Sequence, residues 1–399
     1  MKILNQQIIK TNNLRKVFSL ILNQSPISRI ELADLTNLSK TTISALVDEL
    51  ITKGFVVDEG AVDTGRQGRK PNVLRVNWEE NVVAVINWHI EELELSLVNL
   101  SGDIAFRLNL PVSEQEDFPR VIRDAYENIL RQQAGNRRIL GFCLIVPSML
   151  DPVRKRMLST TLPVPLESDI LDRIIALFTD IPMAVFNDTA CYAYAEKSLT
   201  NMDLSTFTFI NINKGVGAII VSNGIMIQGE GGMRSQLGHY SLHRNGEPCI
   251  CGNRGCLENE TGESALVKRA KRMGIYDALA ENGSITFELL GKKADNSEPA
   301  ARQFVEALAD DLAYTLGNLF TIYNTSHVII GGRGQRLGRY YLQQLDERVK
   351  SVGFRAFVEN IQTQYTALGD DAIMRGAARY FIDKYYDFLG PMKHLVVLE

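Results

Sequence analysis

Five residues in one short segment are of types that could act together: His239, Cys249, Cys251, Cys256 and Glu258, spaced H-x9-C-x-C-x4-C-x-E. Three thiols and an imidazole suit tetrahedral Zn²⁺, a borderline-soft ion with no d-electron geometry of its own. His239, Cys249, Cys251 and Cys256 fill four positions and leave none for a catalytic water. The expected role of the ion is structural, a staple that fixes a loop. The plain alternative is a group of buried thiols beside an unrelated histidine. Against it, three of the chain's five cysteines fall here, with Gly252 and Gly255 between them for tight turns. The other two, Cys143 and Cys191, lie in apolar stretches and read as core residues.

The elements that must carry this loop belong to a chain of 399 residues, for which two or three domains are expected. Apolar residues make up 45% and charged residues 23%, as in ordinary globular material. No run of about 18 apolar residues predicts a transmembrane helix. The start, Met1-Lys-Ile-Leu-Asn-Gln-Gln, has no apolar signal core, so a cytoplasmic location without a membrane partner is expected. Thiols there stay reduced, which favours metal binding over disulfides. The net charge of −4 conceals an asymmetry: residues 1–77 hold 11 Lys and Arg against 7 Asp and Glu. That is +4, which leaves −8 on the remainder and points to nucleic acid at the basic end.

Residues 11–76 read as helix, helix, turn, helix and a two-stranded wing. Leu14, Val17, Phe18, Ile21 and Leu22 recur at helical spacing. Ser28-Arg29-Ile30-Glu31 is a capping box opening a second helix, and Thr36-Asn37-Leu38 makes the turn. Ser39 caps a third helix that buries Ile43, Leu46, Val47 and Leu50 and ends at Gly54. Phe55–Asp58 and Val73–Val76 are the wing strands. The start of the third helix offers Ser39, Lys40, Thr41, Thr42 and Ser44, short hydroxyls and one cation able to approach phosphates and base edges in a major groove. Arg66, Arg69 and Lys70 on the Gly-rich wing loop suit minor-groove or backbone contact. The bland reading of this segment is a small helical domain with a solvated loop.

Gly238-His239, followed by Cys249-Ile-Cys-Gly-Asn-Arg-Gly-Cys-Leu-Glu258, resembles the signature of the repressor–ORF–kinase (ROK) family. That family holds bacterial sugar kinases and sugar-responsive repressors, the xylose and N-acetylglucosamine repressors among them. The N-terminal segment is similar to the winged helix-turn-helix head of the repressor branch, which the kinases lack. Alternating strand-like and helix-like stretches from Val82 onward argue for α/β lobes. The resemblance implies an actin-like, hexokinase-like fold in two lobes. The expected organisation is a winged helix-turn-helix over 1–78, a first lobe over 79–199 and a second over 200–371, with the C-terminal helix (372–390) returning to the first.

The resemblance also assigns residues. Asn187-Asp188 resembles the family's Asn-Asp, whose acid is the general base toward the sugar hydroxyl in the kinases. Glu258 matches a sugar-binding glutamate, and His239 a residue that coordinates zinc and borders the sugar. The family's Gly-Glu-x-Gly-His is here Ser235-Gln236-Leu237-Gly238-His239, so Gln236 replaces a second sugar-binding glutamate. The family's Pro-Gly is Pro147-Ser148. Without the resemblance, the alternative reading of Asn187 or Asp188 is a helix cap. The phosphate loop Asp-x-Gly-Gly-Thr of the kinases is replaced by Ile86-Asn87-Trp88-His89-Ile90, where Trp88 is expected to crowd a triphosphate. Asn213-Lys214-Gly215-Val216-Gly217 keeps two glycines of a second phosphate loop, and Gly331-Gly332-Arg333-Gly334 resembles the adenosine-side turn.

The expected protein is a non-enzymatic repressor, a homodimer or homotetramer on operator DNA, whose affinity is set by a sugar held between the lobes. The alternatives are a sugar kinase with an appended head, and a repressor that no longer binds sugar and answers to another partner.

Overall fold

The computed structural model describes residues 2–61, 72–113, 116–165, 169–200, 204–390 and 394–399. They form two compact units. One comprises residues 1–146, 163–186 and 374–399, and the other residues 147–162 and 187–373.

The first unit begins with the head. Helix α1 spans Lys2–Gln24, longer than its apolar periodicity predicts, and buries Leu14, Val17, Phe18 and Ile21. Strand β1 (Ile27–Ser28) leads into α2 (Arg29–Thr36). The capping box is present: the Ser28 hydroxyl accepts from the Glu31 amide, and the Glu31 carboxylate accepts from the Ser28 amide at 2.9 Å. Asn37, at φ 58°, ends the helix in the left-handed conformation that a short polar side chain tolerates. Helix α3 (Lys40–Thr52) is capped by Ser39 and buries Ile43, Leu46, Val47 and Leu50, as its pattern predicts. Strands β2 (Val56–Ala61) and β3 (Asn72–Val76) make the wing. The sheet has three strands rather than two, in the order β1-β3-β2. Two residues in β1 are too few to show any periodicity; their pairing, Ile27 with Leu74 and Ser28 with Val73, is made by the tertiary fold.

The head does not close its core with its own residues alone. Phe18 and Phe55 pack on Phe388, with ring centroids 4.6 and 4.9 Å apart, and Phe55 also meets Tyr386 at 5.7 Å. Polar contacts fix the same segment. Arg15 Nε donates to Tyr386 O at 2.9 Å, and Lys53 Nζ donates to Leu389 O at 2.8 Å. Arg138 lies over the Phe55 ring at 4.4 Å and donates to Lys53 O at 3.0 Å. Chain ends more than 300 residues apart in sequence therefore share one aromatic core.

The rest of this unit is a six-stranded sheet in the order Val396–Leu398, Met183–Asn187, Arg138–Val146, Asn81–Trp88, Glu92–Asn99, Ile104–Pro111. The central strand Asn81–Trp88 is buried at every residue, as a strand covered on both faces must be. Helix Ala372–Lys384 runs into this unit, where Phe381 occupies the space a side chain at Gly141 would need and Ala377 O accepts from the buried Cys143 thiol. The stretch Phe118–Ala134 is helical to Ala125, widens to a π-turn over Tyr126–Leu130 and resumes over Arg131–Ala134.

The second unit holds a five-stranded sheet ordered Ile225–Met226, Val216–Ser222, Phe207–Ile212, His327–Gly331, Gln362–Tyr365. Phe207–Ile212 pairs antiparallel with Val216–Ser222 and parallel with His327–Gly331. A long helix, Pro299–Ile322, supplies Phe304, Leu308, Leu312, Leu316 and Phe320 to the core at helical spacing. Cys191 is buried, as its surroundings predict.

Candidate functional site

The side chains expected to bind ligand and metal all belong to the second unit. Met183–Asn187 ends where the helix Asp188–Leu199 begins. Asn187 caps that helix: its Oδ1 accepts from Ala190 N at 3.1 Å, while its Nδ2 donates to Ser148 O at 3.0 Å and Asp188 Oδ1 at 3.1 Å. The cap reading and the site reading thus describe one residue. Asp188 Oδ1 accepts from Thr189 N at 2.7 Å, and Oδ2 accepts from Asn211 Nδ2 at 3.1 Å. A carboxylate so placed at a helix start is both hydrogen-bonded and favoured by the backbone dipoles.

The two acids are held from either side of the turn that joins Phe207–Ile212 to Val216–Ser222. Asn211 holds Asp188 on one side, and Val216 N donates to Glu258 Oε2 at 3.0 Å on the other. Gly238 packs on the same turn so closely that a Cβ there would lie 2.1 Å from Val216 O. No other residue fits, and the contact fixes the adjoining Gln236 and His239. His239 N donates to Gln236 O at 3.0 Å, and the Gln236 side chain is exposed. Ser148 turns its hydroxyl to Thr160 Oγ1 at 2.6 Å and gives its carbonyl to Asn187.

His239, Cys249, Cys251 and Cys256 converge, with one ligand atom from each lying within 4.8 Å of the others. His239 Nδ1 is 3.5 Å from Cys249 Sγ, and Cys251 Sγ is 3.7 Å from Cys256 Sγ. Burial pushes the Cys256 thiol up, and its neighbours Cys249 and Cys251 push the same way. A second group, His243, Glu260 and Asp311, also has metal-ligand composition. Its carboxylates are already matched by guanidinium groups: Arg269 reaches Asp311 at 2.5 Å and Glu260 at 3.6 Å, and Arg272 pairs with Glu260.

In the first unit, Trp88 does not crowd anything outside the core. Its ring is fully buried against Phe118, centroids 4.6 Å apart. What replaces a glycine loop is a tight turn, with His89 N donating to Glu92 O, and a polar knot around Glu94. Asn87 Nδ2 lies 2.8 Å from His89 Nε2 and 3.3 Å from Glu94 Oε2, and Arg107 reaches Glu94 at 2.6 Å. Burial opposes ionisation of Glu94, yet His89, Arg107 and Asn87 hold its carboxyl below the usual range.

On the head, Ser39, Lys40 and Thr41 are exposed, and Thr42 and Ser44 are half-buried at the start of α3. The hydroxyls are pre-tied: Ser39 Oγ lies 2.9 Å from Thr41 Oγ1 and 2.8 Å from Thr42 Oγ1. Arg66, Arg69 and Lys70 lie outside the described residues.

Residues 86–384 match the ROK family, and residues 11–57 match a winged helix-turn-helix DNA-binding family. The chain belongs to the ROK family. It is 27% identical to the xylose repressor of Caldicellulosiruptor bescii, over 96% of this chain and 98% of that protein. Among solved structures, it is similar to a ROK family transcriptional regulator described as a homologue of the Escherichia coli MLC protein. The TM-score is 0.81 and the identity 24%, over 97% of this chain and 99% of the other. The ROK hexokinase of Thermus thermophilus has a TM-score of 0.60 at 21% identity, over 75% of this chain and 97% of its own. The ROK fold is thus shared with kinases, whereas the repressor likenesses also span the head. Among the described residues, no helix is long and apolar enough to cross a membrane.

The ROK motif residues were legible from their types. Asn211 and Thr189 carry no motif signal, and Asn213 reads only as part of the second glycine loop, although the spacing Asn211-x-Asn213 at the end of a strand puts two amides on one face.

Proposed function

We propose that the protein is a DNA-binding transcriptional repressor of carbohydrate metabolism whose operator affinity is set by a sugar or sugar derivative. The observation that carries this reading is one chain holding a winged helix with a hydroxyl- and lysine-bearing α3 start and, in its ROK domain, Asp188 and Glu258, each held by a hydrogen bond from a residue beside the same strand turn. The name of the Caldicellulosiruptor relative supports the same assignment. Asn187, Asp188, Gln236, His239 and Glu258 are the proposed sugar ligands, and Ser39, Lys40, Thr41, Thr42, Ser44, Arg66, Arg69 and Lys70 the proposed DNA contacts. A winged helix reads paired half-sites best as a symmetric assembly, so a homodimer or homotetramer is proposed.

His239, Cys249, Cys251 and Cys256 are proposed to hold Zn²⁺. With Zn–S bonds of about 2.3 Å, tetrahedral ligands lie about 3.8 Å apart. The 3.5 and 3.7 Å separations fit that edge. Thiolates so crowded repel one another unless a cation shares their charge, and a divalent ion supplies it. The ion's role is to hold the segment between Gln236 and Glu258 in place.

Phosphoryl transfer rests on positioning phosphates and their metal. Here the first loop carries no glycine, and its Asn87 amide is engaged with His89 and the Glu94 carboxylate. These features support a protein that binds sugar without phosphorylating it. Asp188→Asn is expected to weaken sugar binding by about 1–3 kcal/mol through the lost charged hydrogen bond, read by calorimetry. The wild type is expected to show no sugar-dependent ADP release. Turnover on the order of 1 per second or faster would restore the kinase reading.

For DNA, replacing both Arg69 and Lys70 by Ala is expected to remove about two phosphate contacts. The slope of log K against log salt should flatten by roughly two units. Gel-shift titrations that leave affinity and slope unchanged would exclude the wing as a contact.

A further inference from the structure

We propose that Asn211 and Asn213 are positioning residues of the sugar site, forming a two-amide relay that orients Asp188 from the Gly331–Gly334 turn. The proposal rests on the sugar-binding reading of Asp188 and adds two residues outside the Gly238–Glu258 signature.

The chain of bonds runs in one direction. Arg333 N donates to Asn213 Oδ1 at 2.8 Å. Asn213 Nδ2 donates to Asn211 Oδ1 at 3.0 Å. Asn211 Nδ2 donates to Asp188 Oδ2 at 3.1 Å and to Thr189 Oγ1 at 3.1 Å. Every donor faces the carboxylate, so each bond polarises the next toward it. The amide orientations are not interchangeable. An acid accepts only, so Asn211 must present Nδ2 to it and Oδ1 away, and Asn213 must then present Nδ2 back.

The Asn213 end of the relay is held by its own backbone. Asn213 N donates to Gly215 O and Asn213 O accepts from Glu263 N, each at 2.9 Å. Gly332, at φ 68°, packs directly on the pair: a Cβ there would lie 2.3 Å from Asn211 Oδ1 and 2.7 Å from Asn213 Oδ1. Asn211 itself is 2% exposed, so its amide has no solvent to fall back on. The same short stretch holds Glu258 through Val216 N, so displacement of Asn213 moves the footing of both acids. It also ties up the Arg333 amide, at the turn that resembles a nucleotide contact, through a side chain.

The test compares Asn213→Ala with Asn213→Asp. Asp keeps size and can still accept from Arg333 N, but it cannot donate to Asn211. A purely structural cap tolerates it; a relay does not. Full-length protein is titrated with D-xylose and N-acetyl-D-glucosamine by calorimetry, and the Asp188 carboxyl is followed by carbon-13 chemical shift against pH. Both variants should lose about tenfold in affinity for whichever sugar binds the wild type. In both, the Asp188 titration should move to higher pH, because Asn211 is no longer held with Nδ2 toward the charged form; in Asn213→Asp the added carboxylate pushes the same way, so the Ala variant isolates the relay. Circular dichroism should be unchanged. If Asn213→Asp matches the wild type in affinity and Asn213→Ala leaves the Asp188 titration unmoved, the relay is overturned while the sugar reading stands. If neither sugar binds the wild type but the Asp188 titration still moves in Asn213→Ala, the relay stands and the sugar reading falls.

Discussion

Phe388→Ala is expected to destabilise the DNA-binding head more than any single substitution within its wing. Phe388 is 2% exposed and packs tilted on Phe18 and edge-to-face with Phe55 and Tyr386, the rings that join α1 and the end of α3 to the C-terminal segment. Removing a buried phenyl ring costs about 3–5 kcal/mol, part of it for the cavity left behind. For a unit of this size that corresponds to a fall of about 10 °C in the unfolding midpoint. Amide exchange in α1 and α3 should rise with it, because these helices lose the surface they bury. Operator binding should weaken although no DNA-facing side chain has changed. Phe388→Leu, which keeps apolar volume, should recover most of the loss. Unaltered exchange protection in α1 and α3 of the Ala variant would show that the head stands without its C-terminal partner.

Cys251→Ser is expected to abolish stoichiometric metal binding. Cys251 is the exposed member of the four, so its replacement disturbs packing least and isolates the loss of a thiolate. Zinc affinity should fall by more than about 100-fold, beyond the 10–100-fold typical when only a supporting contact is removed. The segment carrying Gln236, His239 and Glu258 should loosen, and sugar affinity should drop with it. The ligands and the head lie in different units, so operator affinity without sugar should stay within about twofold of the wild type. Elemental analysis finding well under one zinc per wild-type chain would remove the assignment. Unchanged sugar binding in a metal-free variant would confine the ion to a role remote from Glu258.

Much of the molecule was legible from residue types because the controlling interactions are local. The capping box at Ser28 and Glu31, the buried stripe Ile43, Leu46, Val47 and Leu50, and the apolar strand at the centre of the six-stranded sheet follow from spacing alone. The H-x9-C-x-C-x4-C cluster was equally plain, since its four ligands fall in one short segment. Other features had no local signal. Trp88 looked like an obstruction to a phosphate site, and only the packing of Phe118 turned its ring into the core. The two-residue strand Ile27–Ser28 exists because β3 is there to pair with it. Phe388 completes a core begun by Phe18, and a contact over that distance along the chain leaves no periodicity to read. Asn211 and Asn213 carried a period-two hint, yet their roles depend on Asp188 and Arg333 arriving from separate elements. The sequence alone determined the capped helices of the head, the clustered histidine and cysteines and the ROK signature, because these are written in neighbouring residues. The tertiary structure alone decided what closes the head and what aims Asp188, because both are made of groups distant along the chain that only the packed fold brings within reach.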